Sequence, residues 1–258
     1  MTSVSDGAST AVLLHGLTGS AEAWGDGVLE GLRRVGIDPL PLDLPGHGAR
    51  AGAVGEDDFT LEATVESILS AAPQAFHLVG YSMGGRIALH VALRAPHRVR
   101  RLVLESASPG LETEEERQAR RRADADLARS IVEDGMEAFL RRWEALPLFS
   151  SQTRLPSEVR ARHRAGRLAN DPRSLAAALR GLGTGALPSL WSRLGEIEVP
   201  TLLVVGERDG KFVEIGRRMQ GLLPLARFEV VEDAGHTVHL ERPEAWVKAV
   251  GAFLAGST

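Results

Sequence analysis

The feature that most constrains this chain is a rhythm in which short apolar runs, bounded by turn residues, alternate with longer stretches of helical periodicity. The runs read as strands at Ala11–His15, Pro39–Asp43, Ala75–Gly80, Val99–Glu105, Pro200–Gly206 and Ala226–Val231. The helical patterns read as Ala21–Val35, Leu61–Ala71, Met83–Leu93, Glu214–Leu222 and Arg242–Leu254. Apolar strands joined by crossover helices imply an α/β fold with a mostly parallel, doubly wound sheet. Between Pro109 and Pro200 the rhythm stops, and the residues read as helices separated by Pro and Gly. It resumes afterwards with no Ser/Gly-rich linker at either edge, so the block is expected to be a helical cap inserted into one sheet. The expected division is a core over residues 1–108, a cap over 109–199 and the rest of the core over 200–258.

Into that framework falls Gly80-Tyr81-Ser82-Met83-Gly84, placed after the strand that includes Phe76-His77-Leu78-Val79 and opening the helix from Met83. A G-x-S-x-G string between strand and helix is a nucleophile elbow: the turn is too tight for side chains at its ends, and it lifts the serine into a cleft. A serine hydroxyl reacts only if a histidine takes its proton and a carboxylate holds that histidine in orientation and tautomer. The strand Pro200–Gly206 leads into Glu207-Arg208-Asp209, and Ala234-Gly235-His236 follows the next strand. The order Ser…Asp…His makes Ser82, Asp209 and His236 the expected triad. Glu207 and Glu105 are rival acids, and His239 is a rival histidine. The amides of Leu17, after His15-Gly16, and of Met83 are the expected oxyanion donors. His15 is expected to bond loop backbone, and Asp43-Leu44-Pro45-Gly46-His47-Gly48 to be turn structure lining the cleft mouth.

Two arginines stand out by position. Arg86 lies one helical turn after Ser82 in an otherwise apolar helix, on the same side. In the charge run Glu112–Asp126, pairs such as Glu116 with Arg120 fit a solvated helix, yet Arg120 also lies on a stripe with Ala123, Leu127 and Ile131, the face such a helix would turn inward. An inward arginine wants an anion.

Composition narrows the chemistry. The absence of cysteine removes disulfides, thiolate metal sites and a cysteine nucleophile. A net charge of −4 with no basic stripe argues against nucleic acid. No basic leader with an apolar core opens the sequence and no window is apolar enough for a membrane helix, so a cytoplasmic protein without membrane contact is expected. Oligomeric state is not legible.

Across nearly its whole length the chain resembles the α/β-hydrolase superfamily. Three strings, Val79-Gly80-Tyr81-Ser82-Met83-Gly84-Gly85-Arg86, Ser108-Pro109-Gly110-Leu111 and Gly206-Glu207-Arg208-Asp209-Gly210-Lys211-Phe212, resemble the family of 2-succinyl-6-hydroxy-2,4-cyclohexadiene-1-carboxylate (SHCHC) synthases of menaquinone biosynthesis. Arg167-Leu168-Ala169-Asn170-Asp171-Pro172 and the stretch from Leu182-Gly183-Thr184-Gly185 to Leu190-Trp191 carry the likeness through the cap. With so short a segment before Ala11, the two leading antiparallel strands of larger relatives are expected to be missing or vestigial.

The resemblance implies a lyase that eliminates pyruvate from a small tricarboxylate, with no cofactor and no metal. It carries substrate carboxylate binding onto Arg120 and extends substrate contact to Arg167, Trp143 and Tyr81, beside Arg86. A carboxylesterase or C–C hydrolase using an acyl-serine, and a non-catalytic binding protein on the same scaffold, remain the alternative expectations.

Overall fold

A computed structural model describes residues 9–52 and 59–256. Six strands form one sheet: β1 Ser9–Leu14, β2 Ile37–Leu42, β3 Phe76–Tyr81, β4 Val99–Glu105, β5 Thr201–Gly206 and β6 Ala226–Val231. Their order is β2-β1-β3-β4-β5-β6, and every neighbouring pair is parallel. Each expected strand is present. β1 and β2 each begin two residues before their apolar runs, because pairing continues through Ser9↔Ile37 and Thr10↔Asp38. Among the described residues the sheet has no antiparallel strand.

Strand alternation divides the core in two. Val12, Leu14, Leu78, Leu102, Leu104 and Leu203 point to one face, where Val65 and Ile68 of α2 (Leu61–Ala71), Ile87 and Val91 of α3 (Met83–Arg94) and Met219 of α7 (Gly210–Gln220) cover them. Ala11, Leu13, Val79, Val103, Leu202 and Val204 point to the other, under Val28 and Leu32 of α1 (Gly25–Arg34) and Trp246 and Phe253 of α9 (Pro243–Leu254). The helix expected over Ala21–Val35 is a 3-10 turn, Ala21–Trp24, followed by α1 after Gly25 takes a φ of 68°. Helix α7 begins a turn before the expected Glu214.

Between β4 and β5 the chain forms α4 (Glu114–Glu144), a 3-10 turn over Pro147–Arg154, α5 (Ser157–Leu168), α6 (Pro172–Leu182) and a 3-10 turn over Trp191–Glu196. Thr113 and Glu116 close a capping box at the start of α4. Gly135, with φ 78°, kinks α4 into two helical pieces. Ala128, Ile131, Phe139 and Leu140 of α4 then pack on Leu175, Ala176 and Leu179 of α6 as a third apolar cluster. The inward stripe is offset from the expected one: Asp124, Ala128 and Ile131 are buried and Ala123 is exposed. Glu116 is used by its cap, and Arg120 pairs with Asp124 instead. No helix among the described residues is long and apolar enough to cross a membrane.

The loops at the carboxyl ends of β1 and β2 are pinned by buried histidines. His15 donates through Nδ1 to the Gly16 carbonyl at 2.8 Å and accepts the Leu44 N–H at Nε2 at 3.0 Å, which fixes a neutral ring. His47 donates to the Pro45 carbonyl at 2.9 Å and packs at a tilt against His15, 4.9 Å between ring centres. Burial lowers His15 to about 4, and burial together with the neighbouring His15 lowers His47 to about 3. Asp43 accepts the Ala21 and Ala49 amides at 2.7 and 2.9 Å, so the 43–48 turn serves architecture and, among the described residues, lies away from the cavity described below.

A ring kept neutral by folding contributes stability that is complete above its unfolded pKa of 6.5 and is lost as pH falls toward the native value. The thermal midpoint should be flat above pH 7 and fall between pH 6.5 and 4, each such ring costing on the order of 3 kcal/mol when fully charged. A midpoint constant over that interval would contradict neutral native rings.

Candidate active site

Ser82 joins β3 to α3 with φ 52° and ψ −109°, a backbone conformation that costs a non-glycine residue on the order of 1–3 kcal/mol. Its surroundings hold it there. Ser82 N–H donates to the Glu105 carbonyl at 2.9 Å, and Gly84 N–H to the His15 carbonyl at 3.1 Å. A Cβ on Gly80 would stand 2.5 Å from the Gly84 oxygen, and one on Gly84 would collide with the Leu14 carbonyl. Both glycines are there for space.

His236 reaches the turn from the loop after β6. Its Nε2 lies 3.1 Å from Ser82 Oγ and its Nδ1 2.6 Å from Asp209 Oδ2, with His236 and Asp209 buried. Asp209 sits at the N-terminus of α7, yet its carboxylate turns to the histidine and leaves the helix uncapped. Of the rival acids, Glu207 is exposed and accepts the Asp233 amide at 3.2 Å. Glu105 is fully buried and belongs to a second acid–histidine pair: it accepts from His239 Nδ1 at 2.9 Å, the His239 amide at 3.2 Å and Trp246 Nε1 at 2.8 Å. That pair lies behind the nucleophile, against Tyr81, whose ring centre is 5.0 Å from that of His239.

Above Ser82 opens a cavity of about 560 Å³ between the sheet ends and the helical block. Leu17 and Met83 line it beside Ser82, and among the described residues neither amide donates to a protein acceptor. Two N–H groups beside a nucleophile suit a developing oxyanion.

The wall is cationic. Arg86, one turn after Ser82, is paired with no carboxylate among the described residues; burial, aided by the neighbouring Arg120 and opposed by Asp124, lowers it to about 10, still charged at neutral pH. Arg120 donates to Asp124 Oδ1 at 2.7 Å and stays two-fifths exposed toward the cavity. Arg167 is 5% exposed, packs 5.2 Å over the Phe149 ring and reaches Glu144 at 3.4 Å, a carboxylate it shares with Arg164. Trp143 stands half-buried between Phe139 and Phe149, and Tyr81 bonds Thr237 Oγ1 at 2.7 Å. All the positions expected from sequence to meet a ligand therefore line one cavity.

The sequence reading missed Arg208, Lys211, Phe212, Leu146, Leu148 and Phe149 on the same wall. Phe212 stacks 4.7 Å from His236. Lys211 and Phe212 directly follow Asp209 and could have been found by that adjacency. The Leu146–Phe149 stretch carries no periodic signal.

An alpha/beta hydrolase fold family matches residues 12–243. A Bacillus subtilis protein named as a 2-succinyl-6-hydroxy-2,4-cyclohexadiene-1-carboxylate synthase is 45% identical over 94% of this chain and 89% of its own. A synthase of the same name from Salmonella paratyphi C is 31% identical over 96% and 94%. The solved structure of MenH from S. aureus superposes with a TM-score of 0.90 at 34% identity, covering 98% of this chain and 96% of that one.

If Glu105 serves the fold, Glu105→Gln should lower stability by about 2–4 kcal/mol, since an amide cannot satisfy three donors as a carboxylate does. Denaturant unfolding measures this, and a change below about 0.5 kcal/mol, the scale of an ordinary surface substitution, would contradict it.

Proposed function

The chain belongs to the alpha/beta hydrolase fold family and, within it, to the family of SHCHC synthases, and on that premise we propose that it eliminates pyruvate from 2-succinyl-5-enolpyruvyl-6-hydroxy-3-cyclohexene-1-carboxylate to give SHCHC. The observation that carries this reading is the cationic wall: Arg86, one turn from Ser82 and paired with no carboxylate among the described residues, shares the cavity with Arg120 and Arg167. Ester pockets are mainly apolar with few polar groups. A substrate with three carboxylates needs fixed cations, and guanidinium forks hold carboxylates in two places at once.

The names of substrate and product define the bond changes. The ring loses its 5-enolpyruvyl group and the 3-ene becomes a 2,4-diene, so a proton leaves C2, beside the succinyl carbonyl. His236, held by Asp209, takes the Ser82 proton, and the serine oxygen removes the C2 proton. The electrons form an enolate on the succinyl carbonyl, stabilised by the Leu17 and Met83 amides. Collapse of the enolate forms C2=C3, shifts the ring double bond to C4=C5 and breaks the C5–O bond. The departing enolpyruvate takes up a proton to become pyruvate. Arg86, Arg120 and Arg167 fix the carboxylates, while Tyr81 and Trp143 bound the ring. In this reading residues 109–199 form a cap over the sheet, and the chain works in the cytoplasm on a small tricarboxylate without a cofactor.

Supplying the enolpyruvyl substrate should yield stoichiometric pyruvate; none from folded protein would end the lyase reading. Ser82→Ala should reduce turnover on the order of a thousandfold or more with folding intact. Asp209→Asn should reduce kcat by a similar order, because an amide in place of the carboxylate favours the wrong histidine tautomer. No acyl adduct should build up on Ser82, and its appearance in mass spectra during turnover would identify a hydrolase.

Arg120→Ala should lower kcat/KM for the tricarboxylate by about 10- to 100-fold, with little effect on a small neutral ester. Asp124, buried beside it, loses its partner, so stability drops as well, and the contrast between substrates isolates the binding part. Glu114→Ala in the same helix should be nearly silent, because Glu114 is exposed and its bonds to Arg117, Arg121 and Gln118 lie on the solvent face of its own helix. Equal losses for Arg120 and Glu114 would reduce the helix to a structural role.

A further inference from the structure

The turn Pro147–Arg154 meets the core at the loop that carries His236. Phe149 stands edge-on to the His236 imidazole, 6.0 Å between ring centres. Ser151 lies against Gly235 so closely that any Cβ at 235 would overlap its hydroxyl. Gln152, 9% exposed, donates through Nε2 to Thr237 Oγ1 at 2.9 Å. The same Thr237 oxygen is 2.7 Å from the Tyr81 hydroxyl. A chain of hydrogen bonds therefore crosses from the helical block, through the residue after His236, to the residue before Ser82.

The core side of this contact is already braced. Glu241 accepts the Gly235 N–H on one oxygen at 2.8 Å and the Thr237 N–H on the other at 3.2 Å, straddling His236. What Glu241 holds is backbone; it leaves the Thr237 hydroxyl and the Tyr81 phenol to be fixed from above. Burial pushes the Tyr81 phenol well above its ordinary value, so it remains a neutral hydroxyl. A buried hydroxyl pair of this kind is ordered only if its remaining bonds are made, and Gln152 supplies one.

We propose that Gln152 is a positioning residue: acting through Thr237, it latches the 147–154 turn onto the catalytic loop and fixes His236 and Tyr81 together over Ser82. The same latch couples the cavity wall to the base. Phe149, carried on that turn, packs on Arg167 as well as on His236, so a turn that lifts moves a substrate cation and the histidine's neighbour in one step. The inference rests on the proposed elimination for its kinetic readout, and on geometry alone for its spectroscopic one.

The test uses Gln152→Leu, Thr237→Val, their combination, and Thr237→Ser, which keeps the hydroxyl. With the enolpyruvyl substrate, each of the first two should lower kcat about tenfold, the usual effect of one lost buried hydrogen bond. KM should stay within about twofold, since the loss falls on the reacting geometry. The double variant should be no worse than the poorer single one, because both remove the same link. Thr237→Ser should recover kcat relative to Thr237→Val, which keeps the test valid even if Gln152→Leu fails to fold.

In parallel, the far-downfield proton of the short His236–Asp209 hydrogen bond should broaden in Gln152→Leu and in Thr237→Val and sharpen again in Thr237→Ser. That signal is read without substrate, so a failure of the lyase reading and a failure of the latch are told apart. Losses that multiply in the double variant, losses confined to KM, an unchanged kcat, or a downfield proton indifferent to both substitutions would each overturn the proposal.

Discussion

The close approach of three backbones at the end of β3 governs the rest of the structure. Gly80, Gly84 and the Leu14–His15 segment stand so near each other that no Cβ fits between them, and this is what bends Ser82 into a conformation other residues avoid. With β1 on one side and β4 on the other, the strained turn is over-determined: its amides are claimed by the His15 and Glu105 carbonyls. Ser82 is the fixed point. The amides of Leu17 and Met83, the rings of His236 and Tyr81 and the guanidinium of Arg86 are all placed by reference to it.

A second constraint is electrostatic. Four arginines line one cavity, and three of them are partly neutralised, Arg120 by Asp124, Arg167 by Glu144 and Arg208 by Asp233. Those carboxylates offset part of the mutual repulsion of the arginines. Among the described residues Arg86 has no such ion-pair partner, and its neighbour Arg120 repels it further. A carboxylate entering there would relieve that cost, which is the physical ground for proposing a multiply charged anion over a neutral ester.

Much of this was legible in the sequence because it depends on local pattern. Strand and helix periodicities survive tertiary context, and the elbow's glycines announce a steric need that few other turns have. Arg86 was visible because one helical turn separates it from Ser82. What lay beyond reach depends on contacts distant along the chain. The inward stripe near Arg120 runs through Asp124 and not Ala123, because Asp124 is buried against Gly183 at the end of α6, and no apolar pattern reveals that. The Leu146–Phe149 wall and the Gln152–Thr237 bond join segments some 85 residues apart, and neither side advertises the other.

The two acid–histidine pairs show where sequence reasoning must stop and geometry decide. Both Asp209–His236 and Glu105–His239 join a carboxylate at or after a strand's end to a histidine in the same loop, and both are buried. They differ in what the far nitrogen of the histidine can reach. His236 Nε2 meets Ser82 at the cavity wall, whereas His239 is packed among Trp24, Tyr81 and Trp246 behind it. Glu105 spends its remaining hydrogen-bonding capacity on Trp246 and on the His239 backbone, ties that brace α8 (Val238–Glu241) and α9 against the sheet. A carboxylate so committed cannot swing toward His236 without unmaking that brace. A division of labour is consistent with the proposed mechanism: one pair holds the loop still, and the other is placed to move a proton.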